Sequence, residues 1–288
     1  MIRLDAATVL LQWAAGGLLF LWVTTRAREV GIGYGWLVRG VYILMAAGAL
    51  AVGLATDTVP LREASSLAVC VAAGAALAVS IVRRKAGVAK ERERVARRSE
   101  RVVAMTGIDR RPDPDGPDPD VAEFPPVLDL VAPLVAIPGL VAAGVAAGDP
   151  AWLSVARVLV GAAFLGAISD GMLLGHWYLV QPGLARRPLL EMVRWTGLVW
   201  PAEVALLLVP TGMASVLSGS IDDGYNGMLG WFWVACAVTT IGLVVVTRAA
   251  LKERYYSAVM AATGLLYLAI LTAFGTDLVA RALLADPA

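Results

Sequence analysis

Residues 152–180 read WLSVARVLVGAAFLGAISDGMLLGHWYLV, and this stretch decides the fold class. A helix needs about 20 mostly apolar residues to cross about 30 Å of hydrocarbon, and this run exceeds that length. It does not alternate polar with apolar residues, as a strand of a membrane barrel does. Helices and closed barrels are the only structures that satisfy backbone groups in lipid, so the run reads as a transmembrane helix. Seven more runs read the same way. They are roughly Ala6–Thr24, Trp36–Thr56, Ser66–Val82, Val127–Gly148, Leu189–Pro210, Met228–Val246 and Ser257–Phe274. The expected fold is all-α: a polytopic integral membrane protein with about eight transmembrane helices. Residues 1–82 hold spans 1–3, residues 83–126 form a linker, and residues 127–288 hold spans 4–8.

Composition agrees with this reading. The 288 residues are 59% hydrophobic and only 16% charged, against about 25% charged in soluble proteins. Mean hydropathy is +0.73. These values exclude an ordinary cytosolic enzyme, a disordered regulator and a nucleic-acid binder. Net charge is +1, so no global field steers an anionic partner. The two cysteines, Cys70 and Cys236, lie far apart inside apolar runs and form no metal-ligand spacing.

Basic residues set the expected orientation. The connections after spans 1, 3, 5 and 7 carry Arg26 and Arg28, the Arg83–Arg111 cluster, Arg186 and Arg187, and Arg248, Lys252 and Arg254. The connections after spans 2, 4 and 6 carry only Arg62. The positive-inside rule puts the basic connections in the cytoplasm and both termini outside, in the plasma membrane. The start, MIRLD, lacks a net positive charge and a cleavage site, so span 1 is expected to be retained.

Eleven of the 24 Lys and Arg residues fall between Arg83 and Arg111. The first part of this linker mixes Arg with Glu at helical spacing and is expected to continue as a cytoplasmic helix. It reads mainly as a solvated linker, with anionic lipid headgroups as its candidate partner. The second part, residues 109–126, holds six of the fifteen prolines and reads as extended chain. Its Asp113, Asp115, Asp118 and Asp120 lack the spacing of a calcium loop.

A weak 4+4 repeat runs through the chain. Trp22 and Arg39 are 17 residues apart, as are Trp177 and Arg194. Four spans per half give both halves the same orientation, a parallel repeat that predicts two four-helix bundles.

Ionisable residues within a span are functional candidates. They gather on the hairpin of spans 5 and 6: Asp170, His176, Arg194 and Glu203. With a turn near Ala185, Asp170 falls at the depth of Glu203, and His176 beside Arg194. Two carboxyls at one depth in a low dielectric resist joint ionisation, and such a pair can take up and release protons. The alternative is that both carboxyls are hydrogen-bonded helix glue and that Arg194 faces headgroups. His176 is the single histidine, followed by Trp177 and Tyr178. At the membrane boundary, His176 and Tyr178 suit a quinone carbonyl and its proton, or belong to an interfacial aromatic belt. One histidine cannot supply both ligands of a transmembrane b-type haem, so haem is not expected. Ala163, Ala167, Gly171 and Gly175 recur at steps of four and form a small-residue packing ridge. Pro201 lies two residues before Glu203 and is expected to kink its helix.

No phosphate loop, HExxH, GxSxG or soluble catalytic domain appears, so no stand-alone enzyme and no metal site is indicated. The expected function is a membrane subunit handling a quinone-like redox carrier, or protons, for a larger complex, with redox or other subunits as partners. A proton-coupled transporter and a structural or assembly factor are the alternatives. In size, helix count and two-bundle layout the chain resembles the cofactor-free, quinol-oxidising membrane anchors of molybdoenzyme reductases. The resemblance is of architecture, without a motif matched residue by residue.

Overall fold

The computed structural model describes residues 4–106, 121–181, 183–209 and 212–285, and these contain ten α-helices and no strand. The helices are α1 (Ala6–Thr25), α2 (Ile32–Ala55), α3 (Pro60–Val82), α4 (Ala89–Thr106), α5 (Val131–Ala146), α6 (Ala151–Val180), α7 (Arg187–Leu208), α8 (Met213–Leu217), α9 (Met228–Ala250) and α10 (Tyr256–Leu284). Seven are long and apolar enough to cross a membrane: α1, α2, α3, α5 with the turn before it, α6, α9 and α10. The protein is therefore an all-α, multi-pass membrane protein. Helix α7 is 22 residues long but carries Arg187, Glu191, Arg194 and Glu203. Residues Asp113, Asp115, Asp118 and Asp120 lie outside the described residues.

Several helices run beyond their expected ends, among them α2, α3 and α10. Helix α2 starts at Ile32 rather than Trp36. Helix α3 starts at Pro60, a residue suited to the first helical turn, so Arg62 and Glu63 are helical rather than loop residues. Helix α10 continues past Phe274 to Leu284 and adds Asp277 and Arg281. Those two charges sit one turn apart, and Arg281 Nε donates to Asp277 Oδ2 at 2.7 Å. Pairing lets the helix stay buried where a hydropathy reading ends it.

The long helices pack as two rings. In one, α1 contacts α2, α2 contacts α3, α3 contacts α5, and α5 returns to α1. In the other, α6 contacts α7, α7 contacts α9, α9 contacts α10, and α10 returns to α6. The rings meet chiefly along α1 and α6, the two most enclosed spans. Gly16 and Gly166 make that contact. A Cβ on Gly16 would stand 1.7 Å from the Ala162 carbonyl oxygen, and one on Gly166 would stand 2.2 Å from the Gly16 carbonyl carbon. Small residues permit such backbone contact between membrane helices. Of the expected ridge, Gly171 lies between Met192 of α7 and Leu266 of α10, and Gly175 faces Thr263 and Leu266 of α10.

Ion pairs and contacts among the helix ends gather the basic connections at one end of the molecule. There Glu123 meets Arg28 and Arg92, Glu29 meets Lys90 and Arg187, and Arg26 pairs with Glu191. Arg39 of α2 is buried beside them, with Nε and Nη2 each 2.8 Å from Asp129. The opposite end carries the start of α1 and the end of α10.

The start of α9 shows how a loop carboxylate organises a helix end. Tyr225, Gly227, Leu229 and Gly230 all donate backbone N–H groups to Asp223. Gly224 and Gly227 take positive φ (70° and 82°), which turns the loop around the carboxylate. Burial works against the Asp223 charge, but the four N–H donors outweigh it and hold the carboxyl below the ordinary aspartate range.

Two predictions follow from this packing. Gly166→Val forces α1 and α6 apart and lowers stability in detergent by about 1–3 kcal/mol, the usual cost of overpacking. An unchanged denaturation midpoint would contradict the close contact. Asp223 has a folded pKa below the roughly 3.9 of an unfolded chain. Its stabilisation is therefore complete above that value and is lost as pH falls through the folded value. The melting-temperature gap between the wild type and Asp223→Asn is expected at pH 7 and to shrink in strong acid.

Candidate functional site

Asp170 lies inside the junction of the two rings. Tyr42 of α2 donates its hydroxyl to Asp170 Oδ1 at 2.6 Å, and Tyr34 reaches the Asp170 carbonyl at 3.4 Å. Asp170 Oδ2 is buried without a hydrogen-bond partner. The next residue back, Ser169, accepts from Trp13 Nε1 at 2.7 Å. These contacts fix Asp170 between α6 and α2.

Glu203 has different neighbours. Its carboxyl lies beside Asp277 and Arg281 of α10, with Arg157 of α6 also in its field. Arg281 binds Asp277 and also donates from Nη2 to Gln12 Oε1 of α1 at 2.6 Å. Arg157 is directed to backbone: Nε donates to the Leu206 carbonyl at 2.9 Å, and Nη2 to that of Val209 at 3.0 Å. Those carbonyls belong to the end of α7, where helical partners run out. Hydrogen-bonding capacity remains unused in this group. Both Glu203 oxygens, Asp277 Oδ1, Gln12 Nε2 and Arg157 Nη1 are buried without a partner. Gly161 makes the space, since a Cβ there would stand 2.2 Å from Gln12 Nε2 and 3.3 Å from Asp277 Oδ1.

A small cavity adjoins this group at the end away from the basic connections. Its volume is about 50 Å³, and its polar lining is Asp5, Thr8, Asp57, Arg62 and Arg281. That space exceeds the roughly 15 Å³ one water needs. Arg62 organises the rim. It binds Asp5, Thr8 at 3.1 Å, the Asp57 carbonyl at 2.6 Å and Glu63 Oε1 at 2.7 Å. Gly53 accommodates Glu63, whose Oε1 would lie 2.1 Å from an added Cβ. Arg281 belongs both to the cavity wall and to the Glu203 group, and it joins the two.

The comparisons supply no relative. Known protein families, curated proteins and solved structures all return no match to this chain. The functional reading therefore rests on the geometry.

The residues singled out in the sequence occupy separate places. His176 is exposed on α6, with Nδ1 3.0 Å from the hydroxyl of Tyr267 on α10. Tyr178 is buried and donates its hydroxyl to the Ala185 carbonyl, which ties down the turn before α7. Arg194 is exposed on α7, whereas Arg39, its counterpart in the 4+4 spacing, is buried against Asp129. Trp233 is buried and donates to the Thr276 carbonyl at 2.9 Å. Among the described residues, no three His, Cys, Asp or Glu side chains converge as for a metal ion. The sequence reading missed Gln12, Arg157, Asp277 and Arg281. The available signals were the Asp277–Arg281 spacing of four and the presence of Arg157 inside the 152–180 run.

Removing one partner of a buried ion pair strands the other charge, at a cost of about 3–5 kcal/mol. Arg281→Met is expected to destabilise the protein on that scale in a detergent unfolding assay. Adding Asp277→Leu is expected to restore most of the loss. A double variant no better than the single one would show that the pair does not neutralise itself.

Proposed function

We propose that this protein is a membrane subunit that takes up and releases protons at buried carboxyls on behalf of a larger complex. One observation carries the reading: Glu203 and Asp277 lie side by side with unused hydrogen-bonding capacity, and Arg281 beside them lines a water-sized cavity at one end of the molecule. Ionisable groups buried among spanning helices mark proton and ion pathways. Glu203 is the group proposed to carry the proton, with Asp277 beside it and cavity water reached past Arg281. Arg157 is engaged with helix carbonyls, whereas Arg281 pairs directly with Asp277. Gln12 positions Arg281 from α1. The basic connections sit at the far end, so the positive-inside rule puts this exchange on the outer face.

A lipophilic carrier has its own support in the pairing of His176 with Tyr267. Both side chains are exposed on the helix surface, so a quinone arriving through the lipid would reach an imidazole backed by a phenol. The imidazole would donate a hydrogen bond to a quinone carbonyl or accept the hydroxyl proton of a quinol. Quenching of tryptophan fluorescence by a short-chain naphthoquinone should weaken in His176→Ala. Equal quenching in the two proteins would count against this surface.

The proton reading is tested by infrared spectroscopy of the protein in nanodiscs. A protonated-carboxyl band should shift on transfer to D2O within minutes, and Glu203→Gln should remove it. A band that resists deuteration, or that is unchanged in the variant, would sink the proposal.

A further inference from the structure

At the basic end, an open cleft of about 530 Å³ lies between α7 and α9, lined by Arg187, Leu190, Glu191, Arg194, Arg248 and Lys252. The charges in it are unequally matched. Glu191 pairs with Arg26, and Arg187 reaches Glu29 at 3.5 Å. Among the described residues, Arg194, Arg248 and Lys252 have no ion-pair partner, and all three are exposed. Arg194 lies seven residues into α7, about 10 Å along the axis, so its unmatched charge sits within a long helix rather than in a loop.

The same faces turn apolar towards the membrane interior. Leu198 follows Arg194 by one turn, and Val245 precedes Arg248 by one turn; both are exposed. Residues three or four apart share a helix face. A cationic rim therefore continues directly into an aliphatic lane, and α7 and α9 close together beneath it where Gly197 faces Val244. A soluble phosphate would use only the rim. A phospholipid uses both parts, headgroup phosphate above and acyl chain below.

We propose that the α7–α9 cleft binds an anionic phospholipid, with Arg194, Arg248 and Lys252 around the headgroup and Leu198 and Val245 against an acyl chain. Basic pockets between spanning helices bind such headgroups. No described residue of the Arg83–Arg111 segment and none of the buried carboxyls lines the cleft. Each cation near an anionic headgroup is worth about fivefold in affinity, so three are worth on the order of 100-fold.

The test is native mass spectrometry of detergent-purified protein titrated with phosphatidylglycerol or phosphatidylcholine. Wild type should retain phosphatidylglycerol preferentially. Arg194→Gln/Arg248→Gln/Lys252→Gln should lose on the order of 100-fold in affinity. Arg194→Gln alone should lose about fivefold, which keeps the test open if the triple variant folds poorly. Arg84→Gln/Lys85→Gln, altering exposed cations at the same end, should bind as wild type does. Equal retention of the two lipids, or full binding by Arg194→Gln and the triple variant, would overturn the proposal. Displacement of the lipid by equimolar glycerol phosphate would overturn it too, by making the cleft a soluble-phosphate site.

Discussion

A guanidinium withdrawn from water must be neutralised by the protein that carries it, because stranding a charge in a low dielectric costs several kcal/mol. Arg39, Arg62, Arg157 and Arg281 are the largest fully buried side chains, and the helix arrangement depends on how each is satisfied. Arg39 ties α2 to Asp129 in the turn before α5. Arg62 ties α3 to Asp5 ahead of α1 and to the chain leaving α2. Arg157 ties α6 to the carbonyls ending α7. Arg281 ties α10 to Gln12 of α1. Lipid exerts no hydrophobic force between helices, so these polar ties give the bundle a specificity that greasy packing alone would not.

Small residues do the complementary work. The rings approach closely where Gly16 meets Gly166, and the polar groups fit where Gly161 and Gly53 leave room for Gln12 and Glu63. Contact and polarity are thus linked. Opening space for one buried polar group brings its neighbours within reach, and the oxygens left over beside Arg281 give the proposed exchange site its capacity.

Much of the fold was legible because apolar length is a strong signal. Each expected span corresponds to a long helix, although α7 carries more charge than the others. Helix ends were less legible: hydropathy falls after Phe274, but the Asp277–Arg281 pair lets α10 continue buried. The candidate site was half legible. Asp170 and Glu203 stood out as isolated acids in apolar runs, but counting along a hairpin gives depth and not rotation. With 3.6 residues per turn, residues at one depth can face opposite ways. Asp170 faces α2 and Glu203 faces α10, while His176 and Arg194 lie on outer surfaces. Asp277 and Arg281 escaped notice because hydropathy ends the last span before them, and Arg157 because its partners are backbone carbonyls of α7, which no side-chain pattern marks.

The tie between Gln12 and Arg281 spans 269 residues, and it bears on biogenesis. Helix α1 leaves the ribosome long before α10. Until α10 is made, Gln12 sits among the early helices without this partner. The junction of the two rings is therefore sealed only when α10 packs against α6.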